Sequence, residues 1–269
     1  MSATSLSPQA TQALVGMLAR LADTKNYLGR DYAEWCSGAP TLESAVAAAA
    51  MAQDELGHAR ALYPLLRALQ PDIGAQGDPE TRTAFVQHAF VREPFKNWED
   101  FVTANFLVDT AMTTLLTAAA QSTYEPLAGR SRKALQEEQM HTTHGTAWVR
   151  RLAESGPAAR AALEASLLRA WDETLCWFGP AGADDLLVRN GILDATPDQL
   201  RERFLSVIGP TIVETGLSLP VAHSDDEKAF HLTAPLPWDR WDAETYRLRT
   251  SNGAPAKRAR TASPAGNAS

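Results

Sequence analysis

Two residue pairs in this chain have the types and spacing of metal ligands. Glu55 and His58 lie in 51-MAQDELGHARALYPLL-66, and Glu138 and His141 lie in 134-ALQEEQMHTTHGTAW-148. Three residues make nearly one helical turn, so each carboxylate and imidazole leave the same helix face. The surrounding residues predict core positions. A carboxylate and an imidazole buried there without a partner would cost several kcal/mol, by rough estimate. A shared metal ion would neutralise them. The Glu-x-x-His spacing alone is a weak motif, and its setting on apolar helices is what gives it weight.

A carboxylate-bridged two-metal site in a four-helix bundle takes such a pair from two helices and one carboxylate from each of the other two. Asp109, set in the apolar 106-FLVDTAM-112, supplies one of these and precedes Glu138 by 29 positions. A duplicated helical hairpin places its counterpart about 30 residues before Glu55. That residue is Lys25. Neighbouring acids do not substitute for it. Asp23 points about 200° away on the helix, and Asp31 and Glu34 lie well round it or further down.

The elements that must carry these residues follow from periodicity and punctuation. Ser7–Pro8 reads as an N-cap and first helical residue. Apolar residues from Leu14 to Trp35 recur at helical spacing and predict a first helix over 9–35. After 36-CSGAP-40, Thr41 caps a second helix that runs to about Leu69 before Pro71. Residues 70–97 are a long polar connection, as a crossover in a bundle requires. A third helix is expected over 97–122, a fourth over 127–154 and a fifth over 158–177. A short helix over 184–190 and one starting at Thr196–Pro197 follow. No segment alternates as a strand does, so the fold class is all-α. From Pro220 the pattern dissolves. Residues 235–250 are expected to pack as an extended segment or short helix. A single helical domain is expected over 1–250, with 251–269 as a disordered tail.

Bulk properties narrow the function classes. The chain has 269 residues, 45% hydrophobic and 21% charged, with net charge −7. The absence of a basic excess argues against a nucleic-acid partner. The longest apolar run, 45-AVAAAAMA-52, is too short to span a bilayer, which argues against a membrane role. No basic segment followed by an apolar core marks a signal peptide. Two cysteines outside any paired motif suit a reducing cytoplasm. His88, His223 and His231 fall in connections and show no partner. His144, one turn from His141, reads as an ordinary polar neighbour, with a supporting place behind the ligands as the alternative. Trp35, Trp148, Trp171 and Trp177 read as core. Arg130, Arg132, Arg150 and Arg151 are a candidate anion patch.

The text 34-EWCSGAPTL-42, 51-MAQDELGHARALY-63, 107-LVDTAMTTLL-116 and 137-EEQMHTTHGTAWV-149 resembles the phenylacetyl-CoA epoxidase (ring-1,2-monooxygenase) family over residues 10–245. The catalytic A-type and structural C-type members of that family share a ferritin-like bundle. The 35-WC-36 pair and 145-GTAWVRRL-152 lean toward the C type, and the intact ligand text leans toward the A type. The resemblance implies phenylacetate catabolism, iron in a di-iron centre and O2 as cofactors, and Glu55, His58, Asp109, Glu138 and His141 as metal ligands. It implies an oxidoreductase acting on an aromatic or acyl-CoA-type molecule, a dimer with a related subunit, and a reductase as electron source. The sixth ligand falls on Lys25, the position that hairpin spacing also selects. Four readings of Lys25 stand: a neutral amine ligand, a carbamylated one, an ammonium beside Glu55 that leaves one metal or none, or a catalytic residue acting directly. A non-catalytic scaffold subunit is the alternative function. A metal-storage role fits less well, since storage needs no long crossover or C-terminal cover.

Overall fold

A computed structural model describes residues 6–182 and 186–249. The expected disordered tail at 251–269 and the first two residues of the expected helix over 184–190 lie outside these.

Helix α1 (Pro8–Glu34) starts where Ser7 accepts a hydrogen bond from the Ala10 amide. Helix α2 (Leu42–Leu69) starts where Thr41 accepts from the Ser44 amide. Both starts satisfy amides that a helix leaves unpaired. The two helices pack closely at Gly29. A Cβ there would lie 2.7 Å from Leu56 Cγ and 3.0 Å from the Leu56 amide nitrogen. This approach sets Lys25, one turn before Gly29, opposite Glu55.

The crossover at 70–97 is tied to α1 by buried polar contacts. Asp23 accepts from the Arg82 guanidinium, from the Val86 amide at 2.7 Å and from the Tyr63 hydroxyl at 2.8 Å. Thr24 Oγ1 accepts from the His88 amide. Asp23 therefore faces the crossover and not the Lys25 side.

The third bundle element runs through α3 (Trp98–Thr103), a π-helical turn (Ala104–Asp109) and α4 (Thr110–Ala119). Its 22 residues, Trp98–Ala119, are long and apolar enough to cross a bilayer, but 89% of the most apolar window is buried within the protein. It is the core helix. Helix α5 (Glu125–Glu154) completes the four-helix layer and supplies the second Glu-x-x-His pair. Helix α6 (Pro157–Cys176), the short α7 (Leu186–Arg189) and α8 (Pro197–Thr215) follow. Helix α8 opens with a capping box at Thr196 and Gln199 and closes at Gly216 in the left-handed region.

The C-terminal segment holds the short helix (Trp238–Arg240) and extended chain expected over 235–250, and adds strand pairing that was not expected. It forms two antiparallel hairpins, β1 (Val221–Ser224) with β2 (Ala229–Leu232), and β3 (Trp241–Asp242) with β4 (Arg247–Leu248). Strands of two to four residues are too short to leave an alternation in sequence. The architecture remains an all-α, ferritin-like bundle with these hairpins as a cover.

Candidate metal centre

The four central elements each bring one charged side chain to a common point. Lys25 comes from α1, Glu55 from α2, Asp109 from the π turn and Glu138 from α5. All are buried, and Lys25 and Glu55 are 0% exposed. The Lys25 Nζ donates to Glu55 Oε1 at 2.8 Å, to Asp109 Oδ1 at 2.9 Å and to Glu138 Oε1 at 2.5 Å. These three hydrogen bonds match the three N–H groups of an ammonium.

Both histidines turn Nδ1 inward. His141 Nδ1 lies 2.9 Å from Asp109 Oδ2 and 3.3 Å from Glu55 Oε1. His58 Nδ1 lies 3.3 Å from Glu138 Oε1. Their outward nitrogens meet carboxylates in a reciprocal exchange. His58 Nε2 lies 2.6 Å from Glu137 on α5, and His141 Nε2 lies 3.3 Å from Asp54 on α2. Asp54 and Glu137 each directly precede the glutamate of a Glu-x-x-His pair. A carboxylate on the outer nitrogen fixes the ring orientation and the tautomer that leaves the inner nitrogen free to bind a metal.

Glu55, Asp109, Glu138 and His141 each offer a ligand atom, and these atoms lie within 4.8 Å of one another. His58 stands at the edge of this group, with its Nε2 drawn to Glu137. Two buried atoms at the cluster, Glu55 Oε2 and His58 Nδ1, make no hydrogen bond. Such atoms are costly unless something else engages them. Oxygen and imidazole donors without thiolate suit iron, manganese or zinc. Cys36 and Cys176 are free thiols. The residues present fit a divalent metal.

Charges within the cluster offset one another. Burial alone would lower the Lys25 pKa, but Asp109, Glu138 and Glu55 more than reverse this and hold it well above the usual lysine value. Burial likewise opposes charge on His141, and Asp109 overcomes it, raising the imidazole to about 11. Burial and the Asp109 charge push Glu55 up to about 7. Burial is offset at Asp109 by Lys25 and His141, leaving its carboxyl well below the ordinary range. Two cations thus offset three crowded carboxylates.

The sequence reading missed several members of the site. Thr113 donates to Glu138 Oε2 at 2.7 Å. Asn105, in the π turn, donates to the His141 carbonyl at 3.1 Å and contacts His144 Nδ1 through Oδ1 at 3.0 Å. His144 therefore joins the site through Asn105. Tyr32 is fully buried with an unpaired hydroxyl, and its pKa is raised well above 10 by burial and by Asp109, Glu55 and Glu138. Asp54 and Glu137 had a legible signal, the acidic residue before each ligand glutamate. Tyr32 and Asn105 had none beyond helical periodicity.

Other residues are placed elsewhere. His88, expected to lack partners, is fully buried, accepts from the Phe90 amide and reaches Thr174. His223 meets Asp225 and His231 meets Glu227. Those partners lie nearby in sequence or across the fold, where spacing gave no cue. The candidate anion patch is dispersed. Arg130 donates to the Ala61 carbonyl, Arg132 pairs with Glu125, Arg150 pairs with Glu214, and Arg151 lies over Trp148. Trp148, Trp171 and Trp177 are core, while Trp35 is only partly buried.

The family described as "Phenylacetic acid catabolic protein" matches residues 1–247. The chain belongs to this family. Two relatives are components of the 1,2-phenylacetyl-CoA epoxidase of Escherichia coli (strain K12). To the A component the chain is 27% identical over 219 residues, covering 77% of this chain and 69% of that protein. To the C component it is 26% identical over 207 residues, covering 75% of this chain and 82% of that one. The phenylacetic acid catabolic family thus accounts for the mixed leaning of the sequence toward both types. Both relatives are parts of an oxidoreductase, consistent with an enzyme-associated role and with subunit partners.

Proposed function

We propose that this chain is a non-haem, iron-dependent, O2-using oxidoreductase of the di-iron type, related to monooxygenases and epoxidases. Its substrate is an aromatic or acyl-CoA-type molecule. The observation that carries this reading is the inward Nδ1 of both histidines around three buried carboxylates, each ring steered by an outer carboxylate. A scaffold subunit has no need of that arrangement.

Glu55, Asp109, Glu138 and His141 would hold iron on the complete side, and His58 would contribute on the side where Lys25 replaces a carboxylate. Bound iron would supply the redox capacity for O2. The chain's own residues do the rest. Glu137 and Asp54 orient the imidazoles. Thr113 and Asn105 fix Glu138 and Asp109. Lys25 holds a proton at Nζ, in contact with all three carboxylates. The buried walls of α1, α2, α4 and α5 exclude water from this point. Partners in this reading are a related subunit, in a homo- or heterodimer, and a reductase. A cytoplasmic setting suits its free thiols.

A second reading has an observation of its own. Lys25 and His141 already offset the carboxylates, so the cluster is stable as a salt-bridge core and the chain could serve as a non-catalytic structural subunit. The two separate in the assembly reconstituted with its partner subunits and reductase. Under the enzymatic reading, His141→Ala abolishes substrate-dependent O2 consumption while the assembly still forms. Full activity in both His58→Ala and His141→Ala overturns it in favour of the structural role.

A further inference from the structure

A second cationic group lies outside this cluster and has no anionic partner among the described residues. Arg20 sits on α1 five residues before Lys25, about 7.5 Å along the axis and about 140° round it, so it faces elsewhere. No carboxylate among the described residues pairs with it. Its guanidinium carbon lies 3.3 Å from the Tyr246 ring centroid and 5.9 Å from that of Trp177. Those aromatic faces stabilise the cation but accept few of its N–H groups. Arg20 Nε is buried without an acceptor. Burial pushes the guanidinium down to about 10, against the opposing effect of Tyr246, although part of the residue remains accessible.

Arg20 lines a cavity of about 70 Å³ with Trp177, Tyr246, Leu115, Phe178 and Leu200. Trp177 is 2% exposed, and its Nε1–H also lacks an acceptor. Arg20 Nε and Trp177 Nε1 therefore lack acceptors, although Arg20 also hydrogen-bonds Tyr246, and both residues line one cavity with apolar side chains such as Leu115, Phe178 and Leu200. Tyr246 is held there at a cost, since it adopts φ 53° without being glycine. The volume suits about five water molecules, or an organic molecule of about six non-hydrogen atoms.

We infer that this cavity binds a short-chain organic carboxylate, with its carboxylate on Arg20 and Trp177 and its chain against Leu115, Phe178 and Leu200. An inorganic oxyanion would lose its hydration against apolar walls and gain one cation. A neutral alcohol would leave the cation unpaired. The site is independent of the metal reading.

Isothermal titration of the full-length chain with sodium butyrate tests this, with 1-butanol and inorganic phosphate as comparators. The expected result is saturable one-to-one binding of butyrate with a dissociation constant of about 1 mM or tighter. Arg20→Gln should weaken it about tenfold or more, while the ligand-free protein melts close to wild type, since no carboxylate pairs with the guanidinium. Trp177→Phe keeps the ring, loses one donor and should weaken binding a few-fold. Absence of saturable butyrate binding, equal binding of butanol or phosphate, or undiminished binding in both variants overturns the assignment.

Discussion

The Lys25 ammonium and the Glu55 carboxylate, 30 residues apart in sequence, meet at 2.8 Å. Asp109 and Glu138 close on the same nitrogen, so a single side chain from α1 holds the three other bundle elements together. Removing it exposes three buried carboxylates to one another. Lys25→Met should destabilise the metal-free protein by about 3–5 kcal/mol. Added Mn(II) should restore more of the melting temperature in the variant than in wild type. Thermal denaturation with and without metal checks both statements.

Gly29 controls how near Lys25 can come to Glu55. Its Cβ would meet Leu56 Cγ at 2.7 Å and the Ala52 carbonyl at 3.1 Å. Gly29→Ala should force α1 away from α2 and cost about 1–3 kcal/mol, despite the helix preference for alanine. Urea unfolding measures this, and an unchanged midpoint would contradict the close approach.

The outer carboxylates should tune the site without building it. Asp54 and Glu137 touch only the outward nitrogens of His141 and His58. Asp54→Asn and Glu137→Gln should each weaken metal affinity by about 10–100-fold, with melting temperature of the metal-free protein nearly unchanged. Competition against a chromogenic chelator reads the affinity.

His88 gives the fold a defined acid sensitivity. Burial depresses its imidazole to about 3, and nearby Arg247 adds to this. The unfolded chain takes up a proton near the ordinary histidine value, about 6.5, and the folded chain does not. Stability from this group is complete above pH 6.5 and falls by about 1.4 kcal/mol per pH unit below it, down to about pH 3. Replacing the imidazole in His88→Asn should flatten this part of the stability profile. An unchanged slope between pH 6 and pH 4 would contradict it.

Much of this is legible in the sequence. The bundle helices announced themselves because their caps are local: Ser7, Thr41 and Thr196 each accept a hydrogen bond from within three residues. The absence of an acid at position 25 was visible because paired hairpins repeat their ligands at a fixed spacing. The π turn at Ala104–Asp109 was not, since it contains neither Gly nor Pro to mark the change of pitch. Nor was the contact of His88 with Thr174, 86 residues away. Partner choice over that distance is a property of packing. The hairpins after Val221 escaped because two to four residues are too few to show a period.

Iron content after anaerobic Fe(II) loading and removal of excess metal tests the account most directly. At least one iron per chain is expected in wild type, held by Glu55, Asp109, Glu138 and His141. Lys25→Glu, which restores the carboxylate that the hairpin spacing calls for, should raise iron occupancy on the His58 side. Fewer than one iron per wild-type chain, with no increase in the variant, would contradict a metal centre at this cluster and leave Lys25 as the core of a salt bridge alone.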